Sequence, residues 1–192
     1  NIDVRIIDGL EEANIIRTSN NLDFTNSYPT TMYIDVGGGS TEISILKNHT
    51  FIRSNSFNIG TVRLLNEKVS EKEWNMLKKW VSEYKNEFGR VLCIGTGGNI
   101  NRLTKLYGSQ TDNSLNYQQL QYAYKQLKNT PLKDRIEKMG LRPDRADVIV
   151  PAAKIFLTIM NAAGIDSLIA PKVGLADGLI FKLYEKYSAS LT

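Results

Sequence analysis

Residues 32–57 read MYIDVGGGSTEISILKNHTFIRSNSF and contain the clearest indication of the architecture. Residues 32–36, 42–46 and 51–57 each predict a β-strand, and apolar and polar residues alternate through 42–46, which is typical of a strand with two different faces. Only short turns separate these runs, and such short connections join antiparallel neighbours. The stretch therefore predicts three antiparallel strands, with the first turn formed by GGGS at 37–40.

Helices and further strands are predicted after this stretch. Ser70 followed by Glu73 has the spacing of a capping box and predicts the start of an amphipathic helix. The other predicted elements are a strand at 90–94, a short helix after 95–98, helices at 117–127, 132–139, 144–163 and 175–187, a strand at 167–170, and a polar loop at 108–116. This order predicts an α/β fold, a mixed sheet with helices.

The composition excludes several classes of protein. Of the 192 residues, 42% are hydrophobic and 23% charged, which excludes a disordered, collagen-like or coiled-coil chain. The net charge of +4 is spread along the sequence, so we expect no nucleic-acid partner, although an anionic substrate is compatible with it. Cys93, the single cysteine, lies in an apolar run and predicts a buried core thiol. His49 is the single histidine and sits in a predicted turn, so the sequence offers almost no material for a histidine metal site or a Ser-His-Asp triad.

The expected location follows from what the sequence lacks. No apolar run approaches the roughly 20 residues that cross a bilayer, and the polar N-terminus does not resemble a signal peptide. We therefore expect a cytoplasmic protein without a membrane partner. The chain begins with Asn1 and enters a strand-like run at once, so we expect it to be part of a longer protein.

Two glycine-rich turns, at 37–39 and 95–98, follow predicted strands directly. Glycines let a backbone approach a ligand closely and aim its N–H groups at an anion, although hairpin geometry alone also explains them. Neither turn matches the P-loop or the Rossmann fingerprint. Asp35 and Glu42 flank the first turn, an arrangement of oxygen ligands that suits Mg²⁺ with phosphate. The alternative is that Asp35 caps the turn and Glu42 is solvated.

Residues 33–42 (YIDVGGGSTE) closely resemble the D-[IV]-G-G-G-S-x-E motif of the exopolyphosphatase / guanosine pentaphosphate phosphohydrolase (Ppx/GppA) family. Four more segments resemble motifs of that family in the same order: 7–13 (IDGLEEA), 95–99 (GTGGN), 144–152 (DRADVIVPA) and 173–178 (VGLADG). Together they span nearly the whole chain.

The resemblance implies a ribonuclease-H-like lobe of the actin/sugar-kinase/Hsp70 type. Such proteins have two lobes around a cleft, and the D-x-G-S-N-S loop of the family's first lobe is missing from this sequence. Residues 1–17 would then be the end of the first lobe or a hinge segment, 18–31 a loop, and 32–192 the second lobe.

The resemblance also implies the roles of individual residues. Glu12 would be the catalytic carboxylate that activates or orients water, and Asp35 and Glu42 would hold Mg²⁺. Arg145 is expected mainly to cap and pair charges at a helix start. The remaining residues would contact phosphate: Gly37, Gly38, Gly39, Ser40, Gly95, Gly97 and Gly98.

The implied function is Mg²⁺-dependent release of terminal phosphate from inorganic polyphosphate or guanosine pentaphosphate, with the present chain inactive alone. Ala176 stands where the family has arginine, which puts the substrate class in doubt. Two alternatives remain open: an actin-like ATP-dependent kinase, and a non-catalytic sensor of polyphosphate or an alarmone. Formation of a homodimer is also left open.

Overall fold

The computed structural model describes residues 28–48, 50–83 and 91–171, together with residues 179–180, 183–184 and 187–188, which are helical. The strands are β1 (Thr30–Val36), β2 (Thr41–Lys47), β3 (Thr50–Phe57), β4 (Val91–Thr96), β5 (Ser114–Asn116) and β6 (Ser167–Ile169). The helices are α1 (Thr61–Leu65), α2 (Glu71–Ser82), α3 (Gly98–Tyr107), α4 (Tyr117–Asn129), α5 (Leu132–Glu137), α6 (Pro143–Ala146) and α7 (Ile149–Ala163).

The described strands form one mixed sheet in the order β3-β2-β1-β4-β6-β5. The β1–β2 and β2–β3 pairs are antiparallel, which confirms the prediction for residues 32–57. Strands β1, β4 and β6 run parallel, so β1 and β4 both deliver their C-terminal ends, and the turns that follow, to one edge of the sheet. Strand β5 lies within the predicted loop 108–116 and forms because β6 offers it an antiparallel edge.

Helix α7 is the centre of the hydrophobic core. It packs against α1, α2, α3 and α4, and its Phe156 is fully buried. Met32, Ile34 and Ile43 cover it from one face of the sheet, and burying each such side chain contributes about 1.5–3 kcal/mol. A second buried cluster on the sheet contains Tyr33, Leu46, Leu92 and Ile94.

The helix boundaries follow local signals in some places and packing in others. Ser70 and Glu73 form the predicted capping box at the start of α2. Asn116 and Gln119 form a second one at α4, which the sequence analysis did not identify. The single helix predicted at 144–163 is wrong in one respect, because a turn at 147–148 divides it into α6 and α7. Helix α1 was also not predicted, since its five residues are too few to show a period.

Residues 143–163 have the length and mean hydropathy (1.5) of a membrane span, which the sequence analysis did not recognise. More than half of this stretch (56%) is buried inside the described structure, as a core helix is. Several predictions lie outside the described residues: those for 1–17, including Glu12, most of the loop 18–31, and Ala176.

Candidate active site

A row of four polar side chains crosses the sheet near the edge where β1 and β4 end. Thr96 pairs with Asp35, Asp35 with Glu42, and Glu42 with Ser56, so the row spans β4, β1, β2 and β3. The Thr96 hydroxyl donates to Asp35 Oδ1 at 3.1 Å, and the Ser56 hydroxyl donates to Glu42 Oε1 at 2.9 Å. The strand register therefore brings both predicted metal ligands together.

The half-buried carboxyl of Asp35 is held in an unfavourable place for a negative charge. Burial raises its pKa and the charge of Glu42 adds to the increase, although hydrogen bonds from Thr96 and the Val36 backbone oppose it. A bound cation would stabilise the charged form of such a carboxyl.

The donor set around Asp35 fits Mg²⁺ in part. Directly opposed residues on antiparallel strands have Cβ atoms about 4.5–5.5 Å apart, so Asp35 and Glu42 can contribute oxygen atoms to one ion. Within the described residues no group of three His, Cys, Asp or Glu side chains forms a complete protein cage. Mg²⁺ commonly takes one or two carboxylates and completes its shell with water and substrate phosphate.

Residues 37–40, the first glycine turn, are held from one side by the N-terminus of α1. The Gly37 carbonyl accepts from the Thr61 N–H at 2.9 Å. The Gly38 carbonyl accepts from the N–H groups of Val62 at 3.0 Å and Arg63 at 3.1 Å. Helix α1 thus uses its free N–H groups to hold the turn.

This arrangement fixes the direction of the opposite side of the turn. In a trans peptide the carbonyl and the following N–H point in opposite directions, and the described backbone contains no cis bond. The N–H groups of Gly38 and Gly39 therefore point away from α1. Among the described residues, no acceptor takes the N–H groups of Gly38, Gly39 or Ser40. Such consecutive free N–H groups form an anion-binding concavity.

Gly60 lets α1 approach the first glycine turn. A Cβ atom at this position would lie 2.3 Å from the Gly38 carbonyl oxygen and 2.4 Å from the carbonyl carbons of Gly38 and Gly39. Because backbone atoms cannot move aside as a side chain can, only glycine fits here.

The second glycine turn, residues 95–98, adjoins Asp35. Gly97 has a φ of +100°, which other residues rarely adopt, and a Cβ atom on it would lie 3.2 Å from Asp35 Oδ1. Helix α3 begins at Gly98, and no side chain caps its N-terminus. A helix N-terminus favours anions, so the second turn offers further N–H groups beside the first.

Gly95, by contrast, lies inside β4 and is buried. A Cβ atom there would lie 3.0 Å from Ile100 and 3.2 Å from Phe156, so packing in the core accounts for this glycine. The structure places Gly95 in the core-facing part of β4, so we do not include it among the residues proposed to contact phosphate.

Arg145 lies directly against the second turn. A Cβ atom on Gly98 would be 2.9 Å from Arg145 Cζ, and the guanidinium is also 3.8 Å from Asp144. From the sequence, Arg145 is predicted mainly to cap and pair charges at the helix start. The structure shows that pairing and adds a position at the glycine turn, a contact that sequence spacing does not reveal.

Arg63 is a second arginine at the site that the sequence analysis did not identify. Its Nε donates to the Gly39 carbonyl at 3.0 Å. Arg63 and Gly39 are 24 residues apart, so no local sequence pattern indicates this contact. It follows from the packing of α1 against the first turn.

Comparisons with known proteins show the family and the fold. The family model described as the Ppx/GppA phosphatase family matches residues 1–187. A curated relative from Aeromonas hydrophila, guanosine-5'-triphosphate,3'-diphosphate pyrophosphatase, is 26% identical over 95% of the chain and 39% of its own length. The chain thus spans well under half of that relative.

Solved structures show the same fold. The Aquifex aeolicus Ppx/GppA family member has a TM-score of 0.70 and 25% identity over 90% of this chain and 61% of its own. An exopolyphosphatase from Cytophaga hutchinsonii has a TM-score of 0.71 and 20% identity over 97% of this chain and 67% of its own. These likenesses confirm the predicted α/β fold of the actin-like, ribonuclease-H-like type.

Proposed function

The chain belongs to the Ppx/GppA phosphatase family, and from this premise we propose that the protein releases terminal phosphate from inorganic polyphosphate or guanosine pentaphosphate. The observation that carries the proposal is the first glycine turn. The outward N–H groups of Gly38, Gly39 and Ser40 lie next to two opposed carboxylates, Asp35 and Glu42. This combination suits a phosphate group that is bound together with a metal ion.

In the proposed reaction, different residues bind the phosphate, hold the metal ion and activate the water. The N–H groups of the first turn bind and orient the terminal phosphate, and Asp35 and Glu42 would hold Mg²⁺. A bound Mg²⁺ would neutralise charge on the phosphoryl oxygens. The oxygen of a water molecule attacks the terminal phosphorus and the bond to the bridging oxygen breaks. Glu12 orients this water and takes its proton, and the released phosphate chain leaves as an anion.

The second turn and Arg145 would bind the next part of the substrate. The N-terminus of α3 offers N–H groups, and the guanidinium beside Gly98 offers positive charge. A substrate with several linked phosphates can contact both turns at once. This arrangement supports a polyphosphate chain or a pentaphosphate better than a single phosphate ester.

We expect the 192 residues alone to turn over slowly or not at all. They span 39% of the Aeromonas relative. In a two-lobed fold of this kind the substrate lies between glycine turns from both lobes, and one lobe supplies only part of the contacts. Rapid hydrolysis by residues 1–192 alone would contradict this expectation.

The test is phosphate release by the full-length protein with Mg²⁺, using long-chain polyphosphate, guanosine pentaphosphate and ATP in parallel. Glu12→Gln should lower turnover at least about 100-fold, since general base catalysis typically contributes that much. Glu11→Gln is the matched control, because it removes the neighbouring charge, and it should change turnover less than about twofold.

Three outcomes count against the proposal. An equal loss of turnover in the Glu11→Gln and Glu12→Gln variants would show that Glu12 is not the specific catalytic carboxylate. Release from ATP that rises with an added acceptor would favour a kinase. Tight polyphosphate binding without release of phosphate from any of the three compounds would indicate a sensor.

A further inference from the structure

We propose that Arg63 is a positioning residue that keeps the Gly39 carbonyl out of the phosphate site and the Ser40 N–H directed into it. The inference rests on the proposed function and assigns a role in it to a residue outside the family motif at 33–42. It follows from how each of three successive peptides in the first turn is held.

The three peptides differ in the kind of group that holds their carbonyls. Main-chain N–H groups of α1 hold the carbonyls of Gly37 and Gly38. The Gly39 carbonyl accepts from a side chain instead, the Nε of Arg63, at 3.0 Å. A substitution at position 63 can therefore release the Gly39–Ser40 peptide while the two preceding peptides stay in place.

The orientation of that peptide decides whether the site attracts or repels an anion. With the carbonyl turned to Arg63, the N–H of Ser40 points the opposite way and joins those of Gly38 and Gly39. If the peptide rotated, a carbonyl oxygen would replace an N–H donor and face the phosphate with negative charge. Gly39 itself carries no side chain that packs against neighbours, and no atom lies within 4 Å of where its Cβ would be, so the Arg63 bond is the contact that holds this carbonyl in the described structure.

Arg63 approaches the first turn from the side of α1. Its backbone N–H donates to the Gly38 carbonyl at 3.1 Å, and its Nε donates to the Gly39 carbonyl at 3.0 Å. Because the carbonyl and the following N–H of a trans peptide point in opposite directions, Arg63 lies behind the N–H groups that would bind phosphate. This position suits a group that orients the turn more than one that contacts the substrate.

Two variants separate these roles. In Arg63→Gln the amide nitrogen occupies the place of Nε, so a donor to Gly39 remains and the charge is lost. In Arg63→Met the chain length is similar and the donor is lost as well. The matched control is Asn66→Ala, which removes a hydrogen bond of 2.9 Å from Asn66 to Val62 within the same short helix and does not touch the turn.

The measurements are kcat and KM for long-chain polyphosphate with the full-length protein, and the ¹H–¹⁵N signals of Gly38, Gly39 and Ser40. We expect Arg63→Met to raise KM at least fivefold and to shift the Ser40 signal strongly. Arg63→Gln and Asn66→Ala should stay within about twofold of the wild type, with the Ser40 signal little changed.

Other results for these variants would contradict the proposed role of Arg63 or the proposed function. Equal losses in the Gln and Met variants would show that Arg63 acts through its charge, and equal losses in Asn66→Ala would show a general effect on α1. If both Arg63 variants match an active wild type, the inference fails and the proposed function stands. A wild-type protein that neither binds nor hydrolyses polyphosphate or guanosine pentaphosphate would overturn the proposed function itself, and the inference with it.

Discussion

The hydroxyl of Thr96 donates a hydrogen bond to Oδ1 of Asp35 at 3.1 Å, and these two residues are paired across the parallel strands β4 and β1. Each of them stands where its strand ends and a glycine turn begins. The bond therefore ties together the two turns that would bind phosphate. Together with a hydrogen bond from the Val36 backbone, it partly offsets the effect of burial on the charge of Asp35.

Asp35→Asn should make the folded protein more stable at neutral pH and less able to use Mg²⁺. Burial, with the charge of Glu42, raises the pKa of Asp35 above its usual 3.8 despite the Thr96 bond. Between 3.8 and the raised value, the folded state binds more protons than the unfolded state, so stability falls as pH rises through this window. Above the window the ionised carboxyl opposes folding, and asparagine removes that cost.

Urea denaturation of wild type and Asp35→Asn from pH 4 to pH 7 tests this sign. The difference in free energy of unfolding should grow in favour of the variant as pH rises. Thr96→Val serves as the control, because removing the donor should raise the pKa of Asp35 further. The opposite result would be a free energy of unfolding of Asp35→Asn that falls, relative to wild type, between pH 4 and pH 7. It would show that the charged form of Asp35 stabilises the fold.

Gly60→Ala should destabilise the fold by about 3 kcal/mol or more. The new Cβ atom would collide with backbone atoms of the first turn, so α1 must move away and lose its bonds to Gly37 and Gly38. Gly39→Ala is the matched control, because no atom lies within 4 Å of the new Cβ atom. Its effect on the free energy of unfolding should stay at about 0.5 kcal/mol. Chemical denaturation measures both, and similar losses would contradict the packing described here.

Gly98→Ala should affect substrate binding more than stability. Its Cβ would meet the guanidinium of Arg145, the far end of a flexible side chain, which can move aside. Alanine is also a better helix residue than glycine, so the change in unfolding free energy should stay within about 1 kcal/mol. Displacing the cation should raise KM for polyphosphate about fivefold.

A double-mutant cycle with Arg145→Gln isolates this effect. If Gly98→Ala acts by moving Arg145, it should add little to KM once the guanidinium is gone. Additive effects of the two substitutions would instead show that Gly98 and Arg145 contribute separately.

Cys93 should be unreactive in the native protein. Its side chain is fully buried in β4, and burial raises the pKa of the thiol to about 12. Thiolate is the reactive form, so labelling with a disulfide reagent at pH 8 should be negligible until denaturant is added. Rapid labelling of Cys93 in the native protein, with one reagent molecule per chain, would contradict this prediction and mean that β4 opens readily.

The fold was more predictable than the details of the site. Three strand-like runs joined by short turns at 32–57 predicted three antiparallel strands, and Ser70 with Glu73 predicted the start of α2, because both patterns depend on neighbours in sequence. Strand β5 was missed because Leu115 is its one apolar residue and its pairing depends on β6, which is distant in sequence. Helix α1 was missed because five residues are too short to show a helical period. The break between α6 and α7 was missed because apolar residues continue across it.

The antiparallel arrangement of 32–57, the family motifs and the two carboxylates beside the first turn can be read from the residues alone. The groups that meet at the turn become known from the packed fold: Arg63 reaches Gly39 from 24 residues away, and Thr96 reaches Asp35 from 61. The difference lies in the range of the interactions. Backbone periods of two and 3.6 residues are written into adjacent side chains, whereas contacts between distant segments depend on how α1 and the parallel strands pack.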